Sequence, residues 1–182
     1  HLARAGANVS LLVRTPANAE ALRREIQALG VRSVIVAADV TDAPALARAI
    51  GEAVAALGPV DVLVNNAGTA ETVPFHRSDD ALFARMIAVH LMAPVHAAQA
   101  VLPSMVERGR GRIINIASVA GLAGGPYITA YTAAKHAMVG FTRALAIEYR
   151  SKGLLVYVFF TGYTATEMVS GAATRIVAKP GI

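Results

Sequence analysis

A serine, a tyrosine and a lysine within one short segment could carry out proton-coupled chemistry. From Asn115 to Lys135 the chain reads Asn-Ile-Ala-Ser-Val-Ala-Gly-Leu-Ala-Gly-Gly-Pro-Tyr-Ile-Thr-Ala-Tyr-Thr-Ala-Ala-Lys. Ser118 ends an apolar run, a glycine-rich loop follows, and Tyr131 and Lys135 are spaced to share one turn of a helix face. A hydroxyl, a phenol and an ammonium converging there suit acid/base work on a carbonyl or an alcohol. A lysine cation within about 4–6 Å of the phenol is expected to lower its pKa toward the working pH.

The rest of the chain supplies elements to position these groups. Apolar runs predict strands at Val9–Val13, Ser33–Ala38, Asp61–Val64, Gly111–Ala117 and Leu154–Phe160. Helical patterns lie between them: Pro16–Leu29, Ala43–Leu57 with a cap near Thr41 and Asp42 and a Gly58-Pro59 stop, and Ile128–Arg150. A long helix from an N-cap at Ser78 to Glu107 is expected to bend at Pro94. His1–Ala7 reads as the last turn of a helix stopped by Gly6, so the chain is expected to start within a domain. Strands alternating with helices predict parallel βαβ units in a doubly wound α/β sheet, which binds ligands beyond the carboxyl ends of its strands. Asp39, Asn65–Gly68, Ser118 and Thr161–Thr166 all fall at such ends.

Composition narrows the function classes. The 182 residues are 55 % hydrophobic and fit one domain with a real core. Charged residues interrupt the long helical patterns, and no apolar run reaches the ~18 residues of a membrane span, so a soluble protein is expected. With no cysteine, disulfides, thiolate catalysis and cysteine-bound metal are excluded, and a cytoplasmic location fits. The net charge of +5 raises the question of nucleic acid. Only Arg108, Arg110 and Arg112 cluster, without interleaved aromatics, so no nucleic-acid partner is expected. His76, His96 and His136 lack ligand spacing, and no metal site is expected.

Ser118, Tyr131 and Lys135, with Asn65-Asn66-Ala67-Gly68 upstream, match a family pattern in order and spacing, and on these motifs the chain resembles the short-chain dehydrogenase/reductase family over nearly all of residues 1–170. The resemblance implies a Rossmann-like doubly wound parallel sheet in three α/β/α layers. It also implies an NAD(P)-dependent oxidoreductase that interconverts a secondary alcohol and a ketone, with Tyr131 as acid/base, Ser118 bonding the substrate oxygen and Lys135 holding the nicotinamide ribose. Asp39 matches the residue that contacts adenine, with an N-cap role as its plain alternative. Val40, Asn66, Ala67, Gly68 and Val89 join the cofactor-lining set. Arg14 stands where NAD-preferring relatives carry an aspartate; a guanidinium there suits a 2′-phosphate and favours NADP over NAD, unless Arg14 is only a solvated strand-end charge.

The departures are equally definite. His90 occupies the place of the family's catalytic asparagine, and either serves a water relay to Lys135 or packs without a role. Thr161-Gly162 replaces Pro-Gly, with Tyr163, Thr164 and Thr166 in the places that line the carboxamide pocket. The family's first strand and its Thr-Gly-x-x-x-Gly-x-Gly phosphate loop are expected before His1, so the 182 residues are expected to be part of a longer protein or a truncated product. A small apolar carbonyl substrate, of 3-oxoacyl type, and a homodimer or homotetramer paired through the helices around Ala81–Glu107 and Ile128–Arg150 complete the expectation. Two rivals are a nucleotide-sugar epimerase or dehydratase relative, opposed by Asn-Asn-Ala-Gly, and a non-catalytic protein on the same scaffold.

Overall fold

The computed structural model describes residues 1–162. Its strands are β1 (Val9–Val13), β2 (Ser33–Ala37), β3 (Val62–Asn65), β4 (Gly111–Ser118) and β5 (Leu154–Thr161). The helices are α1 (Glu20–Gln27), α2 (Ala43–Leu57), α3 (Asp80–Ile87), α4 (Ala93–Glu107) and α5 (Thr129–Tyr149). All pairings are parallel, as strand-helix alternation requires. The strands nevertheless form two sheets, β1-β2 and β3-β4-β5, because β1 and β3 do not hydrogen-bond to each other. The break falls between β1 and β3. Side chains span it: Leu12 of β1 and Leu63 of β3 both pack on the main core, built from Leu46 and Ile50 of α2, Val101, Leu102 and Met105 of α4, Ile113, Leu145 and Leu154. In β5, Leu154, Val156 and Val158 turn toward the core clusters while Leu155, Tyr157 and Phe159 stay exposed, the period-2 alternation of a strand covered by helices on one face.

Local signals set most boundaries. Asp42 caps α2 by accepting the Ala45 N–H at 2.9 Å, and Gly58 ends it with φ of 94°. The long helix is corrected in two respects. Its N-cap is Asp79, whose carboxylate accepts the Leu82 N–H at 2.8 Å, while the Ser78 hydroxyl turns back to the Pro74 carbonyl. The bend at Pro94 takes the form of a π-helical turn over Ala88–Met92, with the Ala93 N–H donating to the Ala88 carbonyl five residues back. Pro94 lacks the N–H that an α-helix would aim at the His90 carbonyl, so the wider turn re-registers the backbone around His90.

The rod Asp80–Glu107 is, by length and composition, long and apolar enough to cross a membrane, with a mean hydropathy of 1.4 in its best window, contrary to the sequence expectation. It earns that description because α3, the π turn and α4 run on without a break. Leu82, Met86, Ala97, Ala98, Val101, Leu102 and Met105 from this rod are buried in the protein's own core.

Candidate active site

Parallel strands put all their carboxyl ends on one edge, and the residues singled out from the sequence collect there. Ser118 is the last residue of β4, paired with Thr161 of β5. Its Oγ accepts the Ala120 N–H at 3.2 Å and shares a hydrogen bond with the Tyr131 phenol. The loop from Gly124 to Ile128 delivers the chain to α5, with Tyr127 held at φ of 65°, a left-handed conformation rare for a bulky residue. Ala130, Ala134, Lys135, Met138, Val139 and Thr142 form the buried face of α5, so the same amphipathic stripe that anchors the helix also buries the lysine. The Lys135 Nζ donates to the Ile116 carbonyl at 2.8 Å and stands 5.7 Å from the centre of the Tyr131 ring.

Burial sets the electrostatics. It pushes the Lys135 ammonium down to about 8. It also raises the Tyr131 phenol above its ordinary value, the Ser118 hydrogen bond only partly offsetting the effect. The expectation of a lowered phenol is thus overturned, because withdrawing the phenolate from water outweighs what its neighbours return.

His90 completes the cluster. It is 1 % exposed, its ring meets Tyr131 edge-on with centroids 5.1 Å apart, and its Nε2 lies 2.7 Å from the Thr69 carbonyl. A Cβ on Gly68 would sit 2.9 Å from the imidazole Cε1, so a glycine there leaves room for the ring. Desolvation, then the nearby Lys135 charge, hold His90 at about 4.

The remaining expected residues are more dispersed. Arg14 and Asp39 leave the ends of the paired strands β1 and β2, both exposed. The Asp39 carboxylate accepts from the Thr41 N–H at 2.9 Å and the Thr41 hydroxyl at 2.7 Å, and these bonds, with Arg14 contributing least, lower its pKa. Asn66, Ala67 and Gly68 are exposed past β3, and Val89 is half-buried. Val40 packs against the main core. Gly162 directly follows β5, whose Thr161 hydroxyl donates to the Ala117 carbonyl at 3.2 Å. Tyr163, Thr164 and Thr166 lie outside the described residues.

Sequence reasoning missed the partners of Asn65 in the polar network behind the site, Asn115 and Thr142. The Asn65 side-chain amide donates to Asn115 Oδ1 at 2.8 Å, Asn115 donates to the Thr142 hydroxyl at 2.9 Å, and Thr142 donates to the Met138 carbonyl at 2.7 Å. β3, β4 and α5 are thereby tied together just below Ser118 and Lys135. An asparagine inside the apolar run Ile113–Ala117 was the available signal, since a buried carboxamide requires partners.

A family model for short chain dehydrogenase matches residues 1–176. The chain belongs to this family. It is 44 % identical over 163 residues to a Xanthobacter autotrophicus protein named inactive 2-(S)-hydroxypropyl-CoM dehydrogenase 2, covering 90 % of the chain and 70 % of that relative. It is 43 % identical over 122 residues to the 2-dehydro-3-deoxy-L-rhamnonate dehydrogenase (NAD(+)) of a Sphingomonas species, covering 66 % of the chain and 49 % of the relative. The crystal structure of a Burkholderia cenocepacia gluconate 5-dehydrogenase in complex with NADP and tartrate superposes with a TM-score of 0.88 at 31 % identity, over 94 % of this chain and 68 % of that one. The chain spans between 49 % and 70 % of the length of these relatives.

The donor set suits a nicotinamide dinucleotide at its two ends. Lys135 keeps two N–H donors beyond the one on Ile116, enough for a pair of ribose hydroxyls. Arg14 and Asp39 put a cation and a carboxylate at the adjoining ends of β1 and β2. Among the described residues no glycine-rich loop cradles a pyrophosphate.

Proposed function

We propose that the protein is an NAD(P)-dependent oxidoreductase interconverting a secondary alcohol and a ketone, with NADP preferred. The observation that carries this reading is the convergence of Ser118, Tyr131 and the buried Lys135 at the carboxyl end of β4. The cofactor, when bound, supplies or accepts the hydride. Tyr131, held protonated at neutral pH by its raised pKa, is ready to give its proton to the substrate oxygen in the reducing direction. Ser118 donates to the same oxygen as charge develops on it. In the oxidising direction Tyr131 must first give up its proton to solvent, and the ammonium of Lys135 stabilises the phenolate that then accepts the proton of the alcohol. Arg14 supports the NADP preference as an exposed guanidinium at the end of β1, and the NADP-bound gluconate dehydrogenase is a relative that holds this cofactor.

A compact apolar carbonyl compound, of 3-oxoacyl type, is the proposed substrate class. Phe75 from the segment after β3, and Val119 and Leu122 from the segment directly after Ser118, expose apolar side chains. A small soluble enzyme assembled as a homodimer or homotetramer and working in the cytoplasm is proposed with it.

The test measures NADPH consumption with ethyl acetoacetate, in the wild type and in Tyr131→Phe. Loss of an acid/base group predicts a fall in kcat of about 10²–10⁴ with cofactor affinity retained. A Tyr131→Phe protein as active as the wild type would refute the role. One relative bears a name that calls it inactive, which favours a second reading, a non-catalytic dehydrogenase-fold protein. Tight NADPH binding by the wild type, without turnover of any secondary alcohol or ketone in a broad panel, would select it.

A further inference from the structure

We propose that His90 is a positioning residue: a neutral imidazole that bonds the Thr69 carbonyl through Nε2–H and braces the Tyr131 ring, joining the loop after β3 to α5 as one unit. The inference rests, for its kinetic consequences, on the oxidoreductase reading above. The tautomer follows from the partner. A carbonyl only accepts, so the nitrogen 2.7 Å from Thr69 must carry the proton. The other nitrogen, Nδ1, is buried without a hydrogen-bond partner among the described residues, and a second proton there would put a cation in a dry site facing the Lys135 ammonium. Among the described residues, Tyr131 and Lys135, both on α5, are the titratable groups facing the ring.

Three features are fitted to this one ring. The π turn at Ala88–Met92 sets the angle at which His90 enters. Gly68 removes the Cβ that would collide with Cε1. The edge of the ring meets the face-to-edge geometry of Tyr131 at an interplanar angle of 89°. A histidine packed for volume alone would need none of the hydrogen-bond geometry, and phenylalanine would fill its place.

The experiment has two arms, both on the whole protein. In the first, the imidazole ¹⁵N resonances of the wild type are followed by NMR from about pH 8 to about pH 5, the range in which ordinary histidines titrate. His90 is expected to stay neutral with Nε2 protonated throughout; gain of a second proton within this range, or protonation at Nδ1 in place of Nε2, would overturn the proposal. In the second, kcat and KM for NADPH are measured with ethyl acetoacetate for His90→Gln and His90→Phe. The glutamine amide N–H reaches the place of Nε2 and can donate to Thr69, whereas phenylalanine keeps the volume and donates nothing. His90→Phe is expected to lose about ten-fold in kcat/KM, the size of one lost hydrogen bond in a buried site, while His90→Gln stays within about three-fold of the wild type. The reverse order would show a space-filling residue and refute the clamp. A wild type without turnover would strike at the oxidoreductase reading and leave the imidazole measurement to decide this one.

Discussion

Asn115→Ala probes the link between the fold and the site. The side chain is fully buried, accepts from Asn65 at 2.8 Å and donates to Thr142 at 2.9 Å. Its removal leaves the Thr142 oxygen with only its donor bond to Met138, in a place water does not reach, and leaves the Asn65 amide to find water at the half-buried edge of β3. Two net hydrogen bonds at about 1 kcal/mol each, with about 1 kcal/mol for the void, give a loss of about 3 kcal/mol. For a chain of this size that is a fall in Tm of about 6–12 °C, at about 2–4 °C per kcal/mol. Urea unfolding followed by circular dichroism measures the loss, and the slope of the transition should not change. Thr142→Val, alone and combined with Asn115→Ala, completes a double-mutant cycle. The two losses should overlap by about 1 kcal/mol, since both variants break the same bond. A loss below about 0.5 kcal/mol for Asn115→Ala, or strict additivity with Thr142→Val, would refute the reasoning that this network holds α5 on β4.

Three further outcomes follow from burial and exposure. His90 is held to about 4 in the folded chain, so as pH falls the unfolded chain, whose histidine titrates near 6.5, takes the proton first. Its contribution to stability is complete above about pH 6.5 and is lost as pH falls toward 4, by about 3 kcal/mol at most; the wild type should weaken over this range more steeply than His90→Gln in urea titrations, and equal slopes would contradict a buried neutral ring. Lys135 is held to about 8 by burial, so fluorescence-detected NADPH binding should weaken as pH rises through about 8, and constant affinity from about pH 7 to 9 would count against Lys135 as a ligand. Ile147 on α5 is 80 % exposed, with Gly140 and Ala144 exposed on the same helix. Light scattering at micromolar concentration should give a dimer or tetramer that Ile147→Glu dissociates, and a monomeric wild type would remove α5 as an interface.

What could be read directly was local. Asp42 and Gly58 bracket α2 because a cap and a stop act within one turn, and the positions of Tyr131 and Lys135 on α5 follow from helical spacing alone. Ser118 at the end of an apolar run marked a strand terminus in the same way. The choice of Asp79 over Ser78 as the cap of α3 was less legible, since adjacent residues of equal propensity are separated only by the path of the chain from Pro74. Pro94 announced a disturbance, but whether it became a kink or a π turn depended on how α3 and α4 both dock on the core.

The alternation of strand and helix, the family pattern, and the hydroxyl, phenol and ammonium that meet at one sheet edge are legible in the chain alone, because each rests on residues close in the chain or on parallel strands sharing a direction. How those groups behave depends on the packed fold. The Asn65–Asn115 bond spans 50 residues, the Asn115–Thr142 bond 27 and the His90–Thr69 bond 21, and no local spacing encodes such partners. Tyr131 has a raised rather than a lowered pKa, and Lys135 and His90 lie below their ordinary values, because desolvation is a property of the packed interior and not of any pair of neighbours along the chain.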